Sequence, residues 1–343
     1  MHPAFEAPTP PQSEQQELLA KPIKSLGLRI EGSPLEKYVL QLYKELDRKG
    51  LKRFRPKCYL TDEWGCPDEE PVIGIPFYLA DPKLAALEKS MNDLEDEREI
   101  MMYLRHEAGH AFNYAYELYK RDDWKSMFGP FRRPYRDRYR PVPFSRRFVR
   151  HIAGWYAQKH PDEDFAESFA VWLTPRSNWR RKYKGWGALH KLRYVDRMAR
   201  IYGQQEPLRP MGETDVTVDE MELTLEDFYR ETRQDESQAI ADLALDTDLT
   251  DIFLKPSARR RNGIFPAANL LAARRKEIVD KVTYWTGVRR PLVKKLVECI
   301  EERVRQLGLV TLHGRENAAV VEITAYTTTL AMNYLTRGRF TLE

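Results

Sequence analysis

His106-Glu107-Ala108-Gly109-His110 sets two imidazoles four residues apart, with a carboxylate beside the first, in a chain of 343 residues. On a helix, a spacing of four puts both imidazoles on one face about one turn apart, where they can grip a single zinc ion. Glu107 then projects to one side and reaches a water at that site without becoming a ligand. Such wiring belongs to zinc hydrolases. The surroundings support a helix: residues 97–119 contain no proline, and Ile100, Leu104, Ala108, Ala111, Ala115 and Leu118 recur at steps of three and four. His106, His110, Asn113 and Glu117 form a second stripe, which turns the histidines toward a polar groove. Ala108 and Gly109 are small enough to let another backbone come close. The competing reading is a helix whose two histidines only form hydrogen bonds.

Catalytic zinc takes three protein ligands and keeps one position open, so two histidines are not enough. An extended motif with a third histidine would need it at position 116, where the chain has Tyr116, and would want glycine at 113, where it has Asn113. That family of zinc peptidases is excluded. Downstream, residues 160–173 read as a second helix. Asp162 follows a proline as a candidate N-cap, Phe165, Phe169 and Trp172 form an apolar face, and Thr174-Pro175 stops it. Glu163 and Glu167 share the other face. An acidic pair aligned with a histidine pair suggests one carboxylate on the metal and one holding an imidazole; by spacing alone, either can be the ligand.

A histidine-glutamate helix followed by a helix carrying two carboxylates four apart resembles the gluzincins, the thermolysin-like branch of the zinc peptidases. Glu163-Asp164-Phe165-Ala166-Glu167-Ser168-Phe169-Ala170 is most similar to the corresponding helix of the anthrax lethal factor catalytic domain. The resemblance covers roughly residues 100–173. It implies a zincin-like metallopeptidase domain, with a small mixed sheet and active-site helices; with the helical patterns nearer the C-terminus, the chain reads as α+β, that domain followed by a mostly helical C-terminal domain. It also implies one Zn2+ per chain held by His106, His110 and Glu163, with Glu167 as an outer acceptor toward His106. Glu107 is then the general base and acid. Tyr156, seven residues before Glu163, takes the place of the tyrosine that stabilises the tetrahedral intermediate, with Tyr194 a weaker substitute. The competing reading of Tyr156 is a packed aromatic beside Trp155. Substrate preference does not carry over.

Composition fits a folded, water-soluble chain: 42% hydrophobic and 31% charged residues, a net charge of +4, and a length that suggests roughly two domains. Residues 1–21, rich in proline and glutamine without an apolar run, read as a disordered arm rather than a signal peptide. No apolar run reaches the length of a membrane span. Cys58, Cys66 and Cys299 are too few and too scattered for a disulfide framework, which favours the cytoplasm. The remaining boundaries expected are a metallopeptidase domain over 22–205, an acidic connector over 206–252 and a helical domain over 253–343.

Within the first domain, residues 34–49 predict a helix ended by Gly50, and 54–61 and 72–79 predict strands. The second contains Gly74 and Pro76, which suit a sheet edge, and is the candidate to pair with extended substrate. An ordinary edge strand is the competing reading. Residues 124–150 alternate prolines, aromatics and arginines, including Arg132, Arg133, Arg136, Arg138, Arg140, Arg146, Arg147 and Arg150. They read either as a cleft wall attractive to acidic substrate residues or as a solvated loop. Residues 213–251 hold 14 acidic residues against Arg230 and Arg233, and are a candidate to fold against that loop or simply to solubilise a linker. Helical patterns follow at 267–285, 291–307 and 317–335, with the basic clusters Arg259-Arg260-Arg261, Arg274-Arg275-Lys276 and Arg289-Arg290. Three functions therefore compete. The leading one is a zinc peptidase acting on protein or peptide. The second, suggested by the arginines, is a nucleic-acid-associated protein or a protease acting on DNA- or RNA-bound substrates. The third is a non-catalytic, zinc-stabilised interaction module.

Overall fold

The computed structural model describes residues 12–91, 94–135, 139, 141–142, 144–230, 243–255, 263–288 and 290–340. Backbone contacts divide the chain into two units, 1–228 and 229–343.

In the first unit the helix of the opening motif forms because its start is fully capped. Asp96 accepts hydrogen bonds from the amides of Arg98 and Glu99, and the Glu99 carboxylate accepts one from the Asp96 amide. Five helices of this unit come in sequence as α1 (Gln12–Leu19), α2 (Glu36–Arg48), α3 (Pro82–Met91), α4 (Glu97–Ala115) and α5 (Asp122–Phe128). Helix α4 carries the motif and stops earlier than its apolar pattern predicts. Glu117 turns left-handed at φ 49° and pairs with Lys120, so it leaves the polar stripe it was assigned to. Gln12–Leu19 is helical where a disordered arm is expected, with Glu14 paired to Lys83; residues 1–11 lie outside the described residues.

The second motif helix, α6 (Pro161–Leu173), has proline in its first position and is buried on all sides. It lies against α4 at Gly109, where a Cβ would meet Ala166 Cα at 2.7 Å and Ala166 O at 2.9 Å. The seam continues through Phe112 stacked on Phe169, centroids 5.2 Å apart, and Phe112 edge-on to Phe54. Beyond it follow α7 (Trp179–Lys182) and α8 (Ala188–Tyr202), the latter packed on α6.

The sheet of this unit is a parallel pair, β1 (Lys57–Thr61) and β2 (Val72–Pro76). Strand β2 does not offer the expected free edge. All five of its residues are buried, β1 pairs along it, and Gly74 exchanges both backbone hydrogen bonds with Gly65. The glycine there answers a close approach, since a Cβ would fall 2.7 Å from Thr61 Cγ2. Part of the acidic stretch also belongs here: the Glu213 amide donates to Glu70, Val216 accepts from Thr61, and Met221 and Leu223 accept from Lys24 and Ile23. Residues 213–223 are thus tied to strand β1 and the N-terminal segment, and among the described residues none of their hydrogen bonds goes to the arginine-rich loop; 231–242 lie outside the described residues.

The second unit contains α9 (Asp246–Ile252), β3 (Ile264–Pro266), α10 (Ala267–Thr286), α11 (Arg290–Gln306), β4 (Val310–Leu312) and α12 (Glu316–Arg337). Strands β3 and β4 pair antiparallel, and the helices bury Leu271, Val282, Leu296, Val304, Ile323 and Leu330 in one core. The described arginines of its basic clusters are paired locally: Arg274 with Glu277, Arg275 with Glu298 and Glu301, Arg290 with Asp280. Arg259, Arg260, Arg261 and Arg289 lie outside the described residues. Among the described residues, no helix is long and apolar enough to cross a membrane, and the three cysteines are free.

Candidate metal centre

Helices α4 and α6 bring His106, His110 and Glu163 together as one buried cluster. The Nε2 atoms of the two histidines are 3.1 Å apart, and Glu163 Oε2 lies 3.0 Å from His106 Nε2 and 3.3 Å from His110 Nε2. Three ligands at zinc bond lengths on tetrahedral corners stand about 3.3 Å apart, so the triangle has the size of one tetrahedral face.

The other ring nitrogens show why the triangle calls for a cation. His106 Nδ1 donates to Glu167 Oε1 at 3.0 Å, and His110 Nδ1 donates to Asp162 Oδ2 at 2.6 Å. Each histidine proton is committed to a carboxylate, which leaves two lone pairs aimed at each other and at Glu163. Glu107, Asp162, Glu163 and Glu167 are all buried here around the His106 and His110 imidazoles. Such a concentration of carboxylate is costly unless a cation joins it. Burial opposes charge on His106, yet the Glu163 and Glu167 carboxylates outweigh it and push its pKa up to about 9. The donor set, one carboxylate and two imidazoles each oriented by an outer carboxylate, fits zinc.

Each acidic side chain has a distinct environment. Glu163 has its second oxygen held by the Tyr135 hydroxyl. Glu167 also accepts from the Ile152 amide at 3.0 Å. Asp162 takes Tyr114 Oη at 2.5 Å and Asn113 Nδ2 at 2.7 Å as well as His110. Glu107 alone among the four has no hydrogen-bond partner among the described residues. Burial, with the nearby Glu163 and Asp162 charges, raises its pKa even though the histidines pull it down.

Asp162 is not the N-cap. The His160 ring occupies that place, accepting from the Asp162 amide at 3.2 Å, which frees the Asp162 carboxylate to serve His110. An aspartate immediately before the ligand candidate was the available signal, and helix-start statistics explained it away. Tyr135 gave less warning, since it sits in an irregular stretch. Tyr156 lies with its ring 5.6 Å from the His106 ring and its hydroxyl 3.4 Å from that of Tyr135. Burial and the Glu163 charge push both phenols upward, so both remain neutral donors. Tyr194 is elsewhere: fully buried against Phe128, it donates to Asp123.

These features make a buried cluster on two packed helices that could hold a metal ion. Residues 69–183, which span β2 through α7, match the model of a protein family described as "Putative zinc-binding metallo-peptidase". This region of the chain is similar to zinc metallopeptidases, which act on peptide bonds. No curated protein and no solved structure matches the chain.

Proposed function

We propose that the chain is a gluzincin-like zinc endopeptidase, with His106, His110 and Glu163 holding one zinc ion. The observation that carries this reading is Glu107: a buried carboxylate beside the ligand cluster, without a hydrogen-bond partner among the described residues while its three acidic neighbours are fully engaged. A structural carboxylate in that position would cost stability for nothing; a general base needs its oxygens open to water. Zinc bound at the triangle would supply positive charge that acidifies water and polarises the scissile carbonyl.

The chain's own groups then divide the work. Glu107 takes a proton from the attacking water, a step for which its raised pKa makes it a better base, and returns that proton to the leaving nitrogen. Glu167 and Asp162 fix the imidazoles in the tautomer that presents Nε2. Tyr156 donates to the oxygen that becomes negative, a contact stronger in the transition state than before it. Tyr135 holds the far oxygen of Glu163, leaving Oε2 directed at the histidines.

Glu107→Gln tests this reading. We expect the purified variant to retain one zinc per chain while hydrolysis of an unfolded protein such as casein falls by about 10²–10⁴-fold. Undiminished hydrolysis in the variant, or wild-type protein that binds no zinc, would refute it. A purely structural zinc module would leave nothing for Glu107 to do.

A further inference from the structure

Two stretches beside the metal centre pack on each other. The Ala188 amide donates to Arg146 O at 3.1 Å, the Arg150 amide donates to the Tyr183 hydroxyl at 3.1 Å, and Gly187 lets Arg147 Cα approach to 3.4 Å from where a Cβ would stand. These stretches, residues 139–161 and 168–195, contain twelve lysines and arginines and no aspartate or glutamate. At the chain's overall frequency, 52 acids in 343 residues, roughly eight would be expected there. Arg180 is paired with Asp196 and Lys191 with Asp164. Arg146, Arg147, Arg181, Lys182 and Lys184 are exposed and form no ion pair among the described residues.

This basic face is linked to the His106 side of the cluster through a chain of ring contacts. Arg146 and Arg150 lie over Trp186 at 6.0 and 5.4 Å, and Arg150 also lies over Phe144 at 5.3 Å. Phe144 meets Trp155 edge-on at 5.6 Å, and the next residue is Tyr156, beside His106. Lys159 sits over the rings of Tyr135 and Tyr156, at 4.3 and 5.2 Å. The first part of the arginine-rich loop is different, since Arg132 is already paired with Glu69.

We infer that this face, Arg146, Arg147, Arg181, Lys182 and Lys184 with Lys159 over Tyr135 and Tyr156, recruits an acidic segment of the protein substrate. The inference rests on the peptidase reading. Uncompensated guanidinium groups attract carboxylates over several ångströms and take them in paired hydrogen bonds. A peptide suits the surface better than nucleic acid. Its central aromatic, Trp186, which a base would need for stacking, already has two guanidinium groups over its ring.

The test uses full-length Glu107→Gln protein and three fluorescein-labelled probes of equal length: a glutamate-rich peptide, its glutamine counterpart and an oligothymidylate. Anisotropy should show the glutamate peptide binding at least tenfold tighter than the glutamine peptide, with affinity falling as salt rises. The triple variant Arg146→Glu/Arg181→Glu/Lys184→Glu should lose that preference, whereas Lys44→Glu/Arg48→Glu on α2 should keep it. Equal binding of the two peptides, preferential binding of the oligonucleotide, or a triple variant that binds like the parent while remaining folded by circular dichroism would each overturn the inference. Casein hydrolysis by the wild type is measured in parallel. Hydrolysis without charge preference sinks the recruiting face alone, whereas absent hydrolysis sinks the peptidase reading whatever binds.

Discussion

Asp162→Asn isolates the charge behind one metal ligand. In the wild type, Oδ2 accepts from His110 Nδ1 at 2.6 Å and from Tyr114 Oη at 2.5 Å, while Oδ1 accepts from Asn113 Nδ2 at 2.7 Å. An asparagine can keep its oxygen toward His110 and Tyr114 and turn its amide toward Asn113. Asn113 can answer by flipping, because its own Oδ1 is buried without a partner. Geometry survives, and only the negative charge is lost. A charge-assisted hydrogen bond is worth about 1.5–3 kcal/mol against about 1 kcal/mol for a neutral one, so His110 loses roughly 1–2 kcal/mol of support. That corresponds to about a 5–30-fold weaker zinc affinity. Asp162→Ala behaves differently: three buried donors lose their acceptor, and the fold should lose about 3 kcal/mol or more. Zinc competition titration with a chromogenic chelator reads the first effect, and urea unfolding of the metal-free protein reads the second. If Asp162→Asn binds zinc within twofold of wild type, or if the alanine variant is as stable as the asparagine one, the network described here is wrong.

Gly109→Ala should destabilise by about 1–3 kcal/mol, lowering the melting temperature by several degrees, because the added Cβ meets the Ala166 backbone at 2.7–2.9 Å. An unobstructed helix position would instead gain about 0.5–1 kcal/mol from the same change, so a rise on calorimetry counts against the packing. Glu95 accepts from Trp64 Nε1 and the Tyr78 hydroxyl, and burial together with the Glu88 charge pushes its carboxyl up to about 7. The folded chain therefore binds this proton more tightly than the unfolded one, and the stability it lends is complete below about pH 4.5 and lost as pH rises through 7. Glu95→Gln should then gain up to about 3 kcal/mol over wild type at pH 8 but little at pH 4.5, and parallel urea-unfolding curves across that range would contradict it. Removing zinc with a chelator should lower the melting temperature, and restoring it at a thousandfold its Kd should return about 4 kcal/mol; a thermal shift insensitive to metal would refute the triangle as a binding site.

How much of this was legible depended on whether a residue's role was local. His106, Glu107 and His110 could be read directly because one helix sets their geometry, and the helix announces itself through Ile100, Leu104, Ala108 and Ala111. Glu163 and Glu167 could be paired with them because each helix has a single polar stripe and two such stripes can meet in few ways. The small step at Ala108 and Gly109 marked where the second backbone lies, and Ala166 fills it. The expected edge strand was misread because the cover on Gly74 comes from Gly65, a loop residue whose approach no periodicity reports. Gln12–Leu19 was misread because composition describes an isolated segment, whereas Glu14 finds Lys83.

Asp162 shows the deeper reason. An aspartate at a helix start satisfies a local rule so well that no further role is sought, yet in this helix the capping duty has passed to His160. That transfer matters for the site. With His160 at the cap, α6 presents Asp162, Glu163 and Glu167 to the α4 histidines from its first two turns, where the helix dipole favours negative charge. Asp164 points the other way and is anchored by Lys191, so it does not add to the carboxylate load around the metal position. The same helix end thus supplies a ligand, the outer partners of both histidines and the electrostatic support that lets three carboxylates be buried together. Glu107, on the other helix, is outside that arrangement, and in the proposed function this leaves it open for the proton.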